Sequence, residues 1–340
     1  MKTLVTGGAG FVGSELVHQL CERGADVVVV DNLINGRREN LAGLPTDQVR
    51  LEVADIRDAE RLQALTEGVD VVYHLACLCL RHSLHSPLEN HEVNATGTLK
   101  VLLAVRAAGV KRFVYVSTGE VYGMPRFMPM TEEHPNAPTN CYGAAKLAGE
   151  AYTRAFHATY GFPGVVIRMF NNYGPRCHHE GDCGEVIPRF LLRCMAGLPL
   201  VIFGDGTQTR DFNYVEDMAR GVLLAGLNDQ AVGQTFNLGS GSDISINQLA
   251  EEVAAVVGRP QAEVIHDAPR PADIMQLRGD ATKARELIGF EPKVSLRQGL
   301  RRLHDWYRSL DISPQQLLER EVVRNWDRDG LLQAKAGVHV

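Results

Sequence analysis

The sequence predicts an α/β protein built on a doubly wound parallel sheet. Three observations carry this. Strand-length apolar runs rich in valine recur through the first half of the chain. They alternate with segments of helical length, which is the pattern of β-α-β crossovers. The first run also breaks directly into a glycine-rich turn that opens a helix.

The first strand covers Lys2 to Thr6 and runs into Gly7-Gly8-Ala9-Gly10-Phe11-Val12-Gly13. A helix is expected from Ser14 to Arg23, ending at Gly24. Strand, glycine turn and helix in this order are what a dinucleotide-binding (Rossmann) unit requires. Gly7 permits the tight turn, Gly10 lets backbone approach a pyrophosphate at the helix N-terminus, and Gly13 lets helix and strand pack closely. A second strand, Asp26 to Val30, ends at Asp31-Asn32. An acid at this distance from the glycines accepts hydrogen bonds from the adenosine ribose, and its charge repels a 2′-phosphate, so NAD is favoured over NADP. The competing reading of Asp31 is a turn or capping residue. A third strand, Val49 to Val53, delivers Asp55-Ile56 toward the adenine. A fourth, Val69 to Leu75, is followed by Ala76-Cys77. A long helix is expected from Asn94 through Ala108, and a fifth strand from Phe113 to Ser117.

Composition excludes several classes. The chain has 340 residues, 45% hydrophobic and 22% charged, which is ordinary for a globular protein. A net charge of -6 with no basic run argues against a nucleic-acid partner. No apolar run approaches the ~18 residues of a membrane helix. The seven cysteines form no framework, and the chain enters a strand at once, so a cytoplasmic location is expected.

The chemistry centres on Cys141-Tyr142-Gly143-Ala144-Ala145-Lys146. Tyr142 and Lys146 lie one helical turn apart on one face. A free phenol titrates near about 10, and a neighbouring ammonium pulls that value down. Such a phenol can take a proton from a sugar hydroxyl near neutral pH. Thr118 follows the fifth strand, where residues past a carboxyl end face the ligand crevice. Cys141 is read as a buried, inert thiol. Methionines of the loop Met124 to Met130 are read as packing residues or as an adaptable pocket lining.

These motifs together resemble the extended short-chain dehydrogenase/reductase family, in its branch of nucleotide-sugar epimerases and dehydratases. The resemblance rests on GGAGFVG at Gly7 to Gly13, Asp31-Asn32, Asp55-Ile56, His74-Leu75-Ala76, Val93 to Thr98, Ser117 to Gly123 and Tyr142 to Lys146. It implies a large NAD-binding domain over residues 1–171, to which a segment near 206–235 returns. A smaller C-terminal α/β substrate domain would span 172–310. It assigns NAD to Gly7, Gly10, Phe11, Val12, Gly13, Asp31, Asn32, Asp55, Ile56, Leu75, Ala76, Asn94, Ser117, Tyr142, Lys146 and Phe170. Thr118, Tyr142 and Lys146 carry over as the catalytic triad. In this triad Thr118 orients the sugar hydroxyl, Tyr142 is the base, and Lys146 tunes it and holds the nicotinamide ribose. Relatives that are 4,6-dehydratases read Thr-Asp-Glu where this chain reads Thr118-Gly119-Glu120. The acid that expels water is therefore missing at Gly119. Glu120 is either the base that removes a C5 proton or a hydrogen-bonding support in a 4-epimerase.

For the substrate, the resemblance points to Thr118, Tyr142, Asn171, Arg176, Val201, Phe203, Gln208, Arg210, Arg270 and Asp273. Arg210 and Arg270 would grip a diphosphate, because planar guanidinium forks pair bidentately with phosphate oxygens. Arg176 would face the sugar. The stretch Cys177 to Cys183 mixes thiols, imidazoles and carboxylates, but its spacing fits no usual zinc pattern, so no metal is expected. Residues 311–340 lie beyond the resemblance and receive no role. The expectation is an NAD-dependent C4 epimerase of a UDP-hexose or UDP-uronic acid, working as a homodimer. Dehydration or uronate decarboxylation through Glu120 is the alternative, and a non-catalytic NAD- and nucleotide-sugar-binding regulator is the remote one.

Overall fold

The computed structural model describes residues 1–327. Its main sheet has seven strands, all parallel, in the order β11-β6-β5-β4-β1-β2-β3. These are β1 (Lys2–Thr6), β2 (Asp26–Asp31), β3 (Val49–Val53), β4 (Val71–His74), β5 (Arg112–Thr118), β6 (Gly164–Met169) and β11 (Thr235–Leu238). Side chains alternate between the faces with period two. Val27 and Val29 join one core and Val28 and Val30 the other; Val114 and Val116 oppose Phe113 and Tyr115 in the same way. One core packs under α1 (Phe11–Glu22), α8 (Val215–Leu227) and α10 (Thr282–Ile288). The other packs under α2 (Ala59–Thr66), α5 (Thr98–Ala107) and α6 (Cys141–Tyr160). Both faces are covered, which is why the strands read as unbroken apolar runs.

Two helix starts move. Helix α1 begins at Phe11 rather than Ser14, with Gly10 extended at its N-cap. The long helix expected from Asn94 starts as a π-helical turn, Glu92–Gly97, and becomes α-helical only at Thr98. A π-turn adds a residue to the winding and re-aims its side chains. Here it turns Asn94 inward, where the amide accepts from Leu78 N (2.9 Å) and donates to Leu78 O (2.9 Å) and Asn90 Oδ1 (2.9 Å). It thereby fixes the loop that follows β4, which leads into α3 (Leu80–His85) and α4 (Pro87–His91).

A third core joins α7 (Val186–Ala196), α9 (Ile246–Val257) and α11 (Leu296–Ser309). Around it lie short pairings. β7 (Asn172–Tyr173) pairs with β10 (Asn213–Tyr214), and β8 (Leu200–Phe203) with β13 (Val264–Asp267). β9 (Thr209–Arg210) sits between β12 (Ile244–Ser245) and β14 (Gln276–Leu277). The chain leaves the main sheet after β6, returns for α8 and β11, leaves again, and returns for α10. A short helix, α12 (Pro314–Leu318), follows α11.

Candidate active site

The strand order reverses between β1 and β4, and ligands of such sheets bind outside the carboxyl ends at that switch point. A single cleft lies there. Its lining comes from the segments following six strands: Gly7 to Gly13 after β1, Asp31-Asn32, Ala54 and Ile56, Leu75 to Arg81, Thr118 and Glu120, and Phe170 to Asn172. Strand β8 and the Arg210 and Arg270 segments close the opposite wall.

At one end, Gly7 takes φ +70°, a conformation L side chains rarely adopt. A Cβ on Gly13 would lie 2.0 Å from the Gly7 carbonyl oxygen, so no larger residue fits. Asp31 is 7% exposed, and its carboxylate accepts from Ala9 N (3.0 Å) and Leu33 N (2.9 Å). Burial raises its pKa, against those two backbone bonds. Asp55 does not reach the cleft. Arg57 grips it through Nε (2.9 Å) and a terminal nitrogen (2.8 Å), and with Asn32 (3.1 Å) holds its carboxyl down at about 2. Its neighbour Ile56 does line the cleft. Asn94 likewise stands behind the lining and shapes it through Leu78.

In the middle, Asn140 caps α6 by accepting from Gly143 N (2.8 Å), and its amide nitrogen donates to Glu120 Oε2 (3.0 Å). One residue thus ties the helix turn bearing Tyr142 to the carboxylate. Thr118 ends β5, and its hydroxyl accepts from Glu120 N (3.2 Å). Lys146 is 2% exposed. Its ammonium donates to Val116 O at 2.6 Å and sits 4.4 Å over the Tyr115 ring. This departs from the sequence expectation. Burial, with Cys77, Tyr115 and Glu120 nearby, pushes the Tyr142 phenol well above its usual 10, and only the Thr118 hydrogen bond works against it. The phenol is not lowered, because the ammonium is committed to the Val116 carbonyl within β5. Burial lowers Lys146 itself. Behind these residues Glu150 and Arg168 form a two-pronged ion pair (2.9 and 2.7 Å), and Glu150 also accepts from Ser117 Oγ (2.7 Å). It is completely buried.

At the far end, Arg210 and Arg270 each reach Asp273 Oδ1 at 2.5 Å. Two guanidinium groups on one carboxylate leave a net positive charge in the cleft wall. Gln208 donates to Phe203 O (2.8 Å) and closes the turn after β8. Asn171 lines the cleft with a buried Oδ1 that has no donor.

Several expectations are corrected. Arg176 does not face the sugar position. It takes φ +69° and pairs with Glu15 on α1, outside the cleft. Cys141 is exposed rather than buried. Of the two readings of the loop methionines, packing holds for Met130, which is fully buried, and for Met128 beside it; Met124 is exposed, and none of the three lines the cleft. Within the Cys177 to Cys183 stretch, Cys177 faces the third core. Cys183 meets Cys79 across the cleft wall, Sγ to Sγ 3.6 Å. Cys79, Asp182 and Cys183 place ligand atoms within 4.8 Å of one another. The Arg81 guanidinium donates to the Asp182 and Cys183 carbonyls (2.7 and 3.1 Å), a fixed positive charge beside any cation there. Sequence reasoning missed Arg189, Arg193, Asn325 and Trp326, which also line the cleft. The last two lie past the family motifs, so nothing in the sequence marked them.

A family model described as GDP-mannose 4,6 dehydratase matches residues 4–303. The chain belongs to this family. It falls in the nucleotide-sugar epimerase and dehydratase branch of the extended short-chain dehydrogenases/reductases. It is 38% identical over 313 residues to a UDP-glucose 4-epimerase of Mycolicibacterium smegmatis, covering 91% of this chain and 99% of that one. Among solved structures it resembles UDP-glucose 4-epimerase of Thermotoga maritima in complex with UDP-glucose. There the TM-score is 0.86 at 35% identity, over 91% of this chain and 99% of the other. It also resembles a dTDP-glucose 4,6-dehydratase of Streptomyces venezuelae with NAD bound, with TM-score 0.86 at 34% identity over 91% and 97% of the two chains.

The residues present fit the NAD of this family. The glycine cradle admits no side chain at Gly13, and the Asp31 carboxylate has accepted only two of about four hydrogen bonds it can take.

Proposed function

We propose that the protein is an NAD-dependent nucleotide-diphosphate-sugar 4-epimerase, acting on a UDP-hexose or UDP-uronic acid through a 4-keto intermediate. One observation carries this. Thr118, Tyr142 and Glu120 border the same cleft as the glycine cradle and the Arg210–Arg270 pair, while position 119, an acid in 4,6-dehydratases, is a glycine tight against a buried ring. A Cβ there would lie 3.0 Å from the Phe170 ring, and Phe170 is 1% exposed. The proton donor a 4,6-dehydratase uses is thus absent from the sequence, and a side chain at that position would have to displace the Phe170 ring slightly.

NAD, held by Gly7 to Gly13, Asp31 and Lys146, supplies the hydride acceptor and donor at the sugar carbon. The chain's own residues handle the protons. Thr118 orients the C4 hydroxyl and Tyr142 removes its proton. Lys146, one turn further along α6 on the same face, carries the positive charge that favours the phenolate form. Arg210 and Arg270 grip the diphosphate, with Asp273 keeping the two forks together. Glu120, anchored by Asn140, supports the sugar through a hydrogen bond.

A second reading has an observation of its own. The Glu120 carboxylate lines the cleft, fixed at 3.0 Å from Asn140, and a base at C5 would turn the keto sugar toward elimination or decarboxylation. Incubation with a panel of UDP-, dTDP- and GDP-sugars separates the two. Epimerisation leaves the product mass unchanged and inverts C4. Loss of one water or one carbon dioxide refutes the epimerase.

The proposed setting is a cytoplasmic homodimer joined through α5 and α6. Leu103 on α5 and Tyr160 at the end of α6, each 52% exposed, support that face. Light scattering that returns a monomer mass refutes it.

A further inference from the structure

The residues after the family match do not trail away. Beyond α12 the chain turns back across α7 and is fastened through Glu321, Val323, Arg324 and Asn325. Glu321 accepts from Arg189 Nε and from Arg193, both at 2.8 Å, and Arg189 also donates to Val323 O (3.0 Å). The Glu321 and Arg189 side chains are only 6% and 7% exposed. Arg324 holds Asp267 with two bonds, 2.9 and 2.5 Å, and Asp267 is the register partner of Phe203 in the β8–β13 pair. Asn325 is 1% exposed, and its amide nitrogen donates to Gly184 O (3.0 Å) and Asp182 O (3.4 Å).

These bonds fix what the segment presents. Two backbone carbonyls require the amide nitrogen of Asn325, so its Oδ1 is left buried without a donor. Trp326 stands edge-on to Phe203, ring centroids 4.4 Å apart at 85°. Asn325, Trp326 and Phe203 all line the cleft. An unpartnered acceptor and two aromatic rings set at right angles, all lining one cleft, suit a flat heterocycle carrying an N–H. Burying an acceptor without a donor is costly, and a ligand donor removes that cost.

We propose that Trp326 is the aromatic wall against which the nucleobase of the substrate rests, with Asn325 Oδ1 accepting from a base N–H. The C-terminal segment is then part of the substrate site. This rests on the nucleotide-sugar reading above. It adds a base-binding residue from a part of the chain outside the family match. The diphosphate end of the cleft, Arg210 and Arg270, belongs to other segments, so the two ends are separable by experiment.

The test uses the full chain, with UDP and inorganic pyrophosphate as probes in calorimetry. Stacking on an aromatic side chain contributes enough that Trp326→Ala should weaken UDP binding about tenfold. Pyrophosphate binding and NAD content should stay as in the wild type, and Trp326→Phe should recover most of the UDP affinity. The chain has two tryptophans, so Trp306→Phe leaves Trp326 as the sole emitter. Its fluorescence should fall with UDP and not with pyrophosphate. Wild-type UDP affinity in Trp326→Ala, equal losses for UDP and pyrophosphate, or unchanged emission at saturating UDP each overturn the proposal while leaving the epimerase reading intact. A wild-type protein that binds none of UDP, dTDP and GDP overturns both.

Discussion

Replacing Glu150 by glutamine removes the negative charge from a pair that water does not reach. Glu150 is 0% and Arg168 2% exposed. Burial alone would raise the Glu150 pKa. The Arg168 bonds and charge, with Arg154 and Ser117, outweigh burial and hold it below its usual value. Glutamine keeps the shape but leaves the Arg168 guanidinium buried without a counter-charge. Breaking such a pair costs about 3–5 kcal/mol, and we take about 3 kcal/mol because the amide oxygen still accepts one bond. A chain of 340 residues has an unfolding entropy of about 0.7 kcal/mol/K. The melting temperature should therefore fall by about 4 °C, read by differential scanning fluorimetry at pH 7. The contribution of Glu150 is present above its unfolded value of 4.5 and is lost as pH falls through the lower folded value. The gap between wild type and variant should accordingly close on acidification below that point. Turnover should fall too, because Ser117, next to Thr118, loses its anionic acceptor. An unchanged melting temperature at pH 7, or a gap that widens in acid, refutes this account of the pair.

Tyr142→Phe should lower turnover by roughly 10²–10⁴-fold with NAD content unchanged, measured by product chromatography and by extraction of bound cofactor. Lys146→Met should move the alkaline-rising limb of the pH–rate profile to higher pH, since a lost ammonium no longer favours the phenolate; a limb that stays in place would falsify the tuning role. Gly119→Asp should not create a dehydratase. It presses on the buried Phe170 ring and should destabilise the fold by about 1–3 kcal/mol, seen as a lower denaturation midpoint. Arg210→Met should raise the Kd for UDP roughly 10- to 100-fold, the weight of a charged hydrogen-bonding group, in calorimetric titrations.

Much of the fold was legible because its strands are buried on both faces. The valines of β2 and the Phe-Val-Tyr-Val run of β5 announce themselves in any window, and the bounds of β1 and β3 fall where composition places them. What failed depended on side chains finding partners far away in sequence. Within the π-turn before α5, Asn94 captures Leu78, 16 positions earlier. The family resemblance set Arg176 facing the sugar, but Glu15, 161 positions earlier, takes it. Spacing put Lys146 beside Tyr142 on one helix face, yet could not show that Val116 O would claim the ammonium. The tail was opaque for a related reason. Its anchors, Asp267 and the two arginines of α7, carry no local pattern that points to residues more than fifty positions away.

The order in which the main sheet is filled has a bearing on synthesis. Six strands are complete once Met169 has been made, but β11, which pairs with β6, ends at Leu238. About 70 residues separate them. At ribosomal rates of about 5–20 residues per second, the nascent chain spends roughly 4–14 s with the backbone N–H and C=O groups along one side of β6 unpaired. Such an edge is a template for pairing with another chain. Crowded polysomes translating this message therefore present many copies of the same sticky border at once, and slowing elongation between the two strands would lengthen that exposure.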